Sequence, residues 1–191
     1  MLIPAYGVII YSAVLHNLYP MLPPLYWYML CAGTFIFSFL IPLTALLILY
    51  KNGKITDIYL KNNRQRFYPY LYTLLGYAFW LWFLAYTIEA NKFLLIVAIG
   101  ATVALAAVMI INRWWKISAH LTAMGGLLGA VVSSSVQTGT FPMMPAVYIL
   151  IISLILMYAR LYLNAHTPLQ VVTGFLLGLV STSFPILIFY V

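Results

Sequence analysis

Charge is what this chain has least of. Only two acidic residues, Asp57 and Glu89, occur in 191 positions, and charged residues of either sign make up 6%. Hydrophobic residues make up 65%, so the chain cannot cover itself with a water-facing polar surface. Its solvent is therefore lipid. The lone cysteine, Cys31, lies inside an apolar run, which excludes an internal disulfide. Linkers, long-period repeats and low-complexity segments are also missing, so one transmembrane domain over 1–191 is expected. The N-terminus has neither a basic leader nor a small-residue cleavage site, and no removable signal peptide is expected.

What is present is apolar sequence in lengths that suit a bilayer. A span takes about 20 mainly apolar residues. The polar clusters divide the chain into roughly seven such pieces: 2–19, 26–50, 70–89, 93–112, 118–137, 143–163 and 169–190. Backbone groups in hydrocarbon must be bonded within their own segment, so these pieces are expected to be helices. The fold class is all-α, an integral membrane bundle of six to seven transmembrane helices. The first piece is the least secure, because it is short and ends in the run Tyr19-Pro20-Met21-Leu22-Pro23-Pro24.

Counting crossings puts three polar clusters on one face. Residues 51–69, 112–120 and 160–166 all fall there, carrying eight of the nine basic residues and two of the three histidines. Lys92 and His16 are the exceptions. Orientation by positive loops accounts for Lys51, Lys54 and Lys61. It accounts poorly for histidine, and for Arg160 and His120 so near the ends of apolar spans. Polar groups at membrane depth are costly and by default mark function. The net charge of +7 resides in short loops between spans, which points to anionic lipid heads or phosphorylated substrates and not to nucleic acid.

The third cluster, Ala159 to Gln170, carries the sharpest chemistry. Thr167 suits the cap of the last helix, Pro168 its first position, and Gln170 the third, with capping-box spacing. His166 then stands just before a helix start, where exposed N–H groups and the positive dipole end attract anions. Arg160 closes the preceding span, and its planar fork suits two phosphate oxygens. An imidazole beside a bound phosphate can form a phosphohistidine. The plainer alternative is an arginine snorkelling to the headgroups beside an interfacial histidine. In the second cluster, Lys116-Ile117-Ser118-Ala119-His120, Ser118 caps a helix and His120 could protonate a leaving alkoxide. The first cluster, 57–69, adds Lys61, Arg64 and Arg66 as positive charge, with Asp57 as the only acid on that face. Gly125, Gly126 and Gly129, and likewise Gly174 and Gly178, are spaced for close helix approach.

Together these clusters resemble the type 2 phosphatidic acid phosphatase superfamily, the lipid phosphate phosphatases, and look like a divergent bacterial branch of it. That family carries Lys-x6-Arg-Pro, then Pro-Ser-Gly-His, then Ser-Arg-x5-His-x3-Asp. Arg160 and His166 keep the x5 spacing, Pro168 matches a common His-x-Pro form, and Ser118 and His120 match the second motif. The resemblance covers 116–120 and 159–178 well and 57–69 loosely. It implies His166 as nucleophile, His120 as general acid, and Arg160 and Ser118 as phosphate ligands, helped by Lys61, Arg64, Arg66 and Lys116. It also implies no metal and no cofactor, a lipid phosphate or prenyl pyrophosphate as substrate, and a multi-pass bacterial inner-membrane protein.

The departures are specific. Gln170 stands where the family has its relay aspartate, Ala159 replaces the serine before Arg160, and Ile117 and Ala119 replace proline and glycine. Pro69 follows Tyr68 and not an arginine. An amide oxygen can accept from an imidazole N–H but cannot stabilise an imidazolium as a carboxylate does. The alternative reading is therefore an anionic-lipid-binding membrane protein of the same fold with weak or no catalysis. A transporter would call for broken helices or acids near the midplane; Asp57 and Glu89 sit near span ends.

Overall fold

The structure, a computed structural model, describes residues 3–16, 21–55 and 66–190. Every element among them is helical, so the chain is all-α. In chain order these are α1 (Ile3–His16), α2 (Pro24–Phe35), α3 (Ile41–Lys51), α4 (Phe67–Trp82), α5 (Lys92–Ile111), α6 (Ala119–Ser133), α7 (Ser135–Thr138), α8 (Met143–Tyr162) and α9 (Pro168–Phe189). Among the described residues five helical stretches are long and apolar enough to cross a membrane: Pro24–Lys51, Lys92–Ile111, Ala119–Thr138, Met143–Tyr162 and Pro168–Phe189. At 14 residues α1 is too short for that length. The helix starting at Phe67 is rich in tyrosine and tryptophan and is not among the five. The sequence expectation of six to seven spans is thus met only roughly.

No linker marks a division in the sequence, yet the helices group into two compact units, Met1–Ala90 and Asn91–Val191. In the first unit, α2 and α3 form one continuous helix through a wide π-helical turn at Ile36–Leu40. A proline explains the widening. Pro42 lacks an N–H and its ring would crowd the Ser38 carbonyl one turn back, which a wider turn relieves. A second π-helical turn, Phe83–Thr87, extends α4. The two widened turns meet: the Phe37 and Phe83 rings lie 5.4 Å apart. Trp80, 2% exposed, donates its indole N–H to the Thr34 hydroxyl over 3.0 Å, and Ser38 donates to the Thr34 carbonyl over 2.7 Å. Buried polar groups here find partners locally, as a lipid solvent demands.

The second unit is built around α6 and α9, which run parallel in close contact. Their facing glycines allow it. A side chain at Gly125 would overlap the Phe175 carbonyl, and one at Gly178 would overlap the Thr122 carbonyl. A Cβ at Gly174 would stand 2.8 Å from the Ser118 carbonyl. Backbone therefore meets backbone, the geometry that small residues permit in membranes. Thr182 adds a hydrogen bond from its hydroxyl to the Gly126 carbonyl at 2.9 Å. On the other flank of α9, Gly100 of α5 faces the Ser181 carbonyl, which Pro185 has released from its helical partner. Phe93 and Tyr190 close the far end of the α5–α9 pair edge to face, 5.6 Å apart.

Candidate functional site

The parallel course of α6 and α9 puts both their N-termini at one end of the second unit. Each start is capped as the residue types dictate. Ser118 accepts the Leu121 N–H at 3.5 Å, and Thr167 accepts the Gln170 N–H at 3.4 Å. The Gln170 side chain returns the favour by accepting the Thr167 N–H at 3.1 Å, completing the capping box that the sequence spells. The two starts are also tied to each other, because the Ser118 N–H donates to the Gln170 carbonyl over 3.2 Å.

His166 stands in this joint. Its Nδ1 lies 3.0 Å from the Lys116 carbonyl oxygen and 3.2 Å from Gln170 Oε1. The ring is half-buried. His120 occupies the second position of α6, two residues beyond Ser118, and is exposed. The second and third sequence clusters thus converge on one end of one unit.

Arg160 stands in the last turn of α8, and the chain turns from there to His166. That turn is a Schellman motif: the Ala165 N–H donates to the Arg160 carbonyl (3.0 Å) and the Asn164 N–H to the Leu161 carbonyl (2.9 Å). Asn164 takes the left-handed conformation this requires, with φ 49°. The motif gives the Arg-x5-His spacing a physical meaning. The arginine contributes the carbonyl that closes the turn, and the histidine is the first residue after the closure. Arg160 itself is half-buried, and its Nε is buried without a hydrogen-bond partner among the described residues. A guanidinium that only snorkelled would carry that nitrogen into the headgroup layer.

The remaining candidates divide. Ser118 is 0% exposed and its hydroxyl serves as the helix cap. Lys116 enters through its backbone carbonyl, a role invisible in its side-chain type. Arg66 belongs to the first unit, where it is 8% exposed and hydrogen-bonds the Tyr70 hydroxyl one turn along. Lys61, Arg64 and Asp57 lie outside the described residues. Among the described residues no three His, Cys, Asp or Glu side chains gather in a metal-binding group. Two contributors escaped the sequence reading, Asn164 and the Lys116 carbonyl. For Asn164 the signal was available, since asparagine between a helix end and a capped helix start suits a left-handed turn.

No family model matches the chain, and neither a curated protein nor a solved structure matches it.

Proposed function

We propose that this protein is a membrane phosphatase of the type 2 phosphatidic acid phosphatase kind, hydrolysing a lipid phosphate or isoprenoid pyrophosphate through a phosphohistidine. One observation carries the reading. A single Schellman turn joins the end of α8, where a buried guanidinium nitrogen of Arg160 has no hydrogen-bond partner among the described residues, to a histidine whose Nδ1 is engaged by two oxygens. Leaving a buried donor unsatisfied costs about 1–3 kcal/mol, more when it is charged, and a phosphate oxygen would remove that cost.

In this reading the phosphoryl group sits between Arg160 and the N-terminal ends of α6 and α9, whose dipoles favour negative charge. His166 attacks phosphorus, and the bond to the lipid oxygen breaks. His120 gives that oxygen a proton and then takes one from the water that cleaves the phosphohistidine, releasing inorganic phosphate. Neither step calls for a cofactor. The bilayer holds the acyl or prenyl chain, in keeping with a multi-pass protein of a bacterial inner membrane.

The test is phosphate release by detergent-solubilised protein from phosphatidic acid and from a prenyl pyrophosphate. Replacing His166→Ala is expected to lower the rate by at least about a thousandfold, as for removal of a nucleophile elsewhere. Release that survives this change overturns the proposal.

A second reading has its own support. Neutral oxygens meet His166 where the family has a carboxylate, and Ala159 removes a phosphate contact. The protein would then hold anionic lipid without turning it over. Labelled lipid would bind, binding would weaken in Arg160→Ala, and no phosphate would appear.

A further inference from the structure

We infer that His166 is locked as its Nδ1–H tautomer by two neutral oxygens, the Lys116 carbonyl and the Gln170 amide. Gln170 and the turn 115–118 are therefore positioning elements. The reasoning starts at Thr167. Its backbone N–H can only donate, and it meets Gln170 Oε1 at 3.1 Å, so the oxygen and not the NH2 of the amide points into the joint. That same oxygen lies 3.2 Å from His166 Nδ1. The other neighbour of Nδ1, the Lys116 oxygen at 3.0 Å, is a carbonyl and can only accept. A nitrogen facing two acceptors must carry the proton. In the neutral ring the lone pair then belongs to Nε2, and Nε2 is the atom that would attack phosphorus.

The Lys116 carbonyl is well placed to be a lock because its own segment is held at both ends. The Ile117 N–H donates to the Trp115 carbonyl over 2.8 Å, and the Ser118 N–H donates to the Gln170 carbonyl over 3.2 Å. Gly174 lets the Ser118 backbone lie directly on α9. A backbone carbonyl cannot be lost by changing a side chain, so this acceptor is insensitive to the identity of residue 116. Tautomer selection is thus separated from imidazolium stabilisation: the first needs only acceptors, the second a carboxylate. The inference rests on the proposed phosphatase only in saying which nitrogen reacts; the tautomer itself is independent of turnover.

The experiment is nitrogen NMR on 15N-histidine-labelled full-length protein in lipid nanodiscs, at a pH where the ring is neutral. The His166 signals are identified by their loss in His166→Ala. The expected result is a protonated Nδ1 and an unprotonated Nε2, in the starting protein and equally in Gln170→Ala, where the Lys116 carbonyl remains. An Nε2–H tautomer in the starting protein overturns the lock. A shift to a tautomer mixture in Gln170→Ala overturns the part given to Lys116. Should Gln170→Ala fail to fold, dipolar coupling between a 13C-labelled Lys116 carbonyl and His166 Nδ1 in the unaltered protein decides. Coupling that fits the 3.0 Å contact supports the lock, and its absence overturns it. An Nδ1–H ring in a protein that releases no phosphate supports this inference and removes the proposed function. Phosphate release by an Nε2–H ring does the reverse.

Discussion

The two units pack their helices with different emphasis, although Gly76 of the first also faces a backbone carbonyl, that of Phe37. In the first, large rings fill the space: Phe37 and Phe83 meet across the widened turns, Trp80 reaches Thr34, and Gly33 is where the Phe83 ring docks. In the second, α6 and α9 meet through glycine, and what lies opposite each glycine is mostly a carbonyl. Rings can turn and shift by a few tenths of an ångström. Carbonyls belong to helices and cannot move without the helix. The rigid arrangement is the one that leads to His166, because the seam between α6 and α9 ends at the joint where Ser118, Lys116 and Gln170 meet. Precision of the joint is inherited from the seam.

The largest expected effect comes from breaking the seam where backbone meets backbone. A Cβ at Gly178 would collide with the Thr122 carbonyl and stand 2.7 Å from the Gly126 nitrogen. Neither can yield alone, so Gly178→Ala is expected to separate the helices and destabilise the protein by about 1–3 kcal/mol, the range for overpacking. Separation also moves Ser118 and Lys116 away from α9. A misplacement of about 1 Å at a reacting group costs on the order of a hundredfold in rate, and phosphate release should fall by about that much. Denaturant titration of the protein in mixed micelles reads the first effect, and turnover of the remaining folded fraction reads the second. Normal turnover in the folded fraction would separate the seam from the joint.

A smaller effect sharpens the contrast. At Gly33 the obstacle is a side chain, the Phe83 ring, which is half-buried. Gly33→Ala should cost about 1 kcal/mol, the low end of the overpacking range, because the ring can rotate away. The same titration checks it. An equal or larger loss at Gly33 than at Gly178 would show that ring and carbonyl are equally unyielding, and the distinction between the units would collapse.

The parts of this architecture that were legible in the sequence are those governed by short-range rules. Thr167, Pro168 and Gln170 announce a capped helix start, Ser118 announces another, and the glycine spacing announces close approach; all three features are present. Span positions follow from apolar length, and five of the seven pieces match within a few residues. For the first piece, Ile3–His16 is helical and 17–19 lie outside the described residues. The widened turn at Ile36–Leu40 was not read because a proline inside an apolar run does not say whether the helix will kink, end or widen, and the one at Phe83–Thr87 has no proline near it to signal a change. The acceptors on His166 were half-legible: Gln170 is a side chain in a motif, whereas the Lys116 carbonyl is backbone, identical in every residue type, and only folding chooses it. Arg66 illustrates a third limit, because a basic residue in a loop does not declare that it will bury itself against Tyr70.

The smallest expected effect tests whether the seam depends on shape or on polar contacts. Thr182 donates to the Gly126 carbonyl of the neighbouring helix at 2.9 Å and also lies 3.2 Å from the Gly178 carbonyl within its own. Thr182→Val keeps the branched shape and removes the hydroxyl. The Gly126 carbonyl retains the acceptor role it has in its own helix, so no group is left wholly unsatisfied. Interhelical hydrogen bonds of this kind in membranes average about 0.6 kcal/mol, and the loss should be of that order. Turnover should stay within about twofold, because the glycine contacts that set the helix separation are unchanged. If the valine variant instead loses as much as Gly178→Ala, the hydroxyl and not the glycines holds α9 against α6, and the rigidity assigned to backbone contact belongs to one side chain.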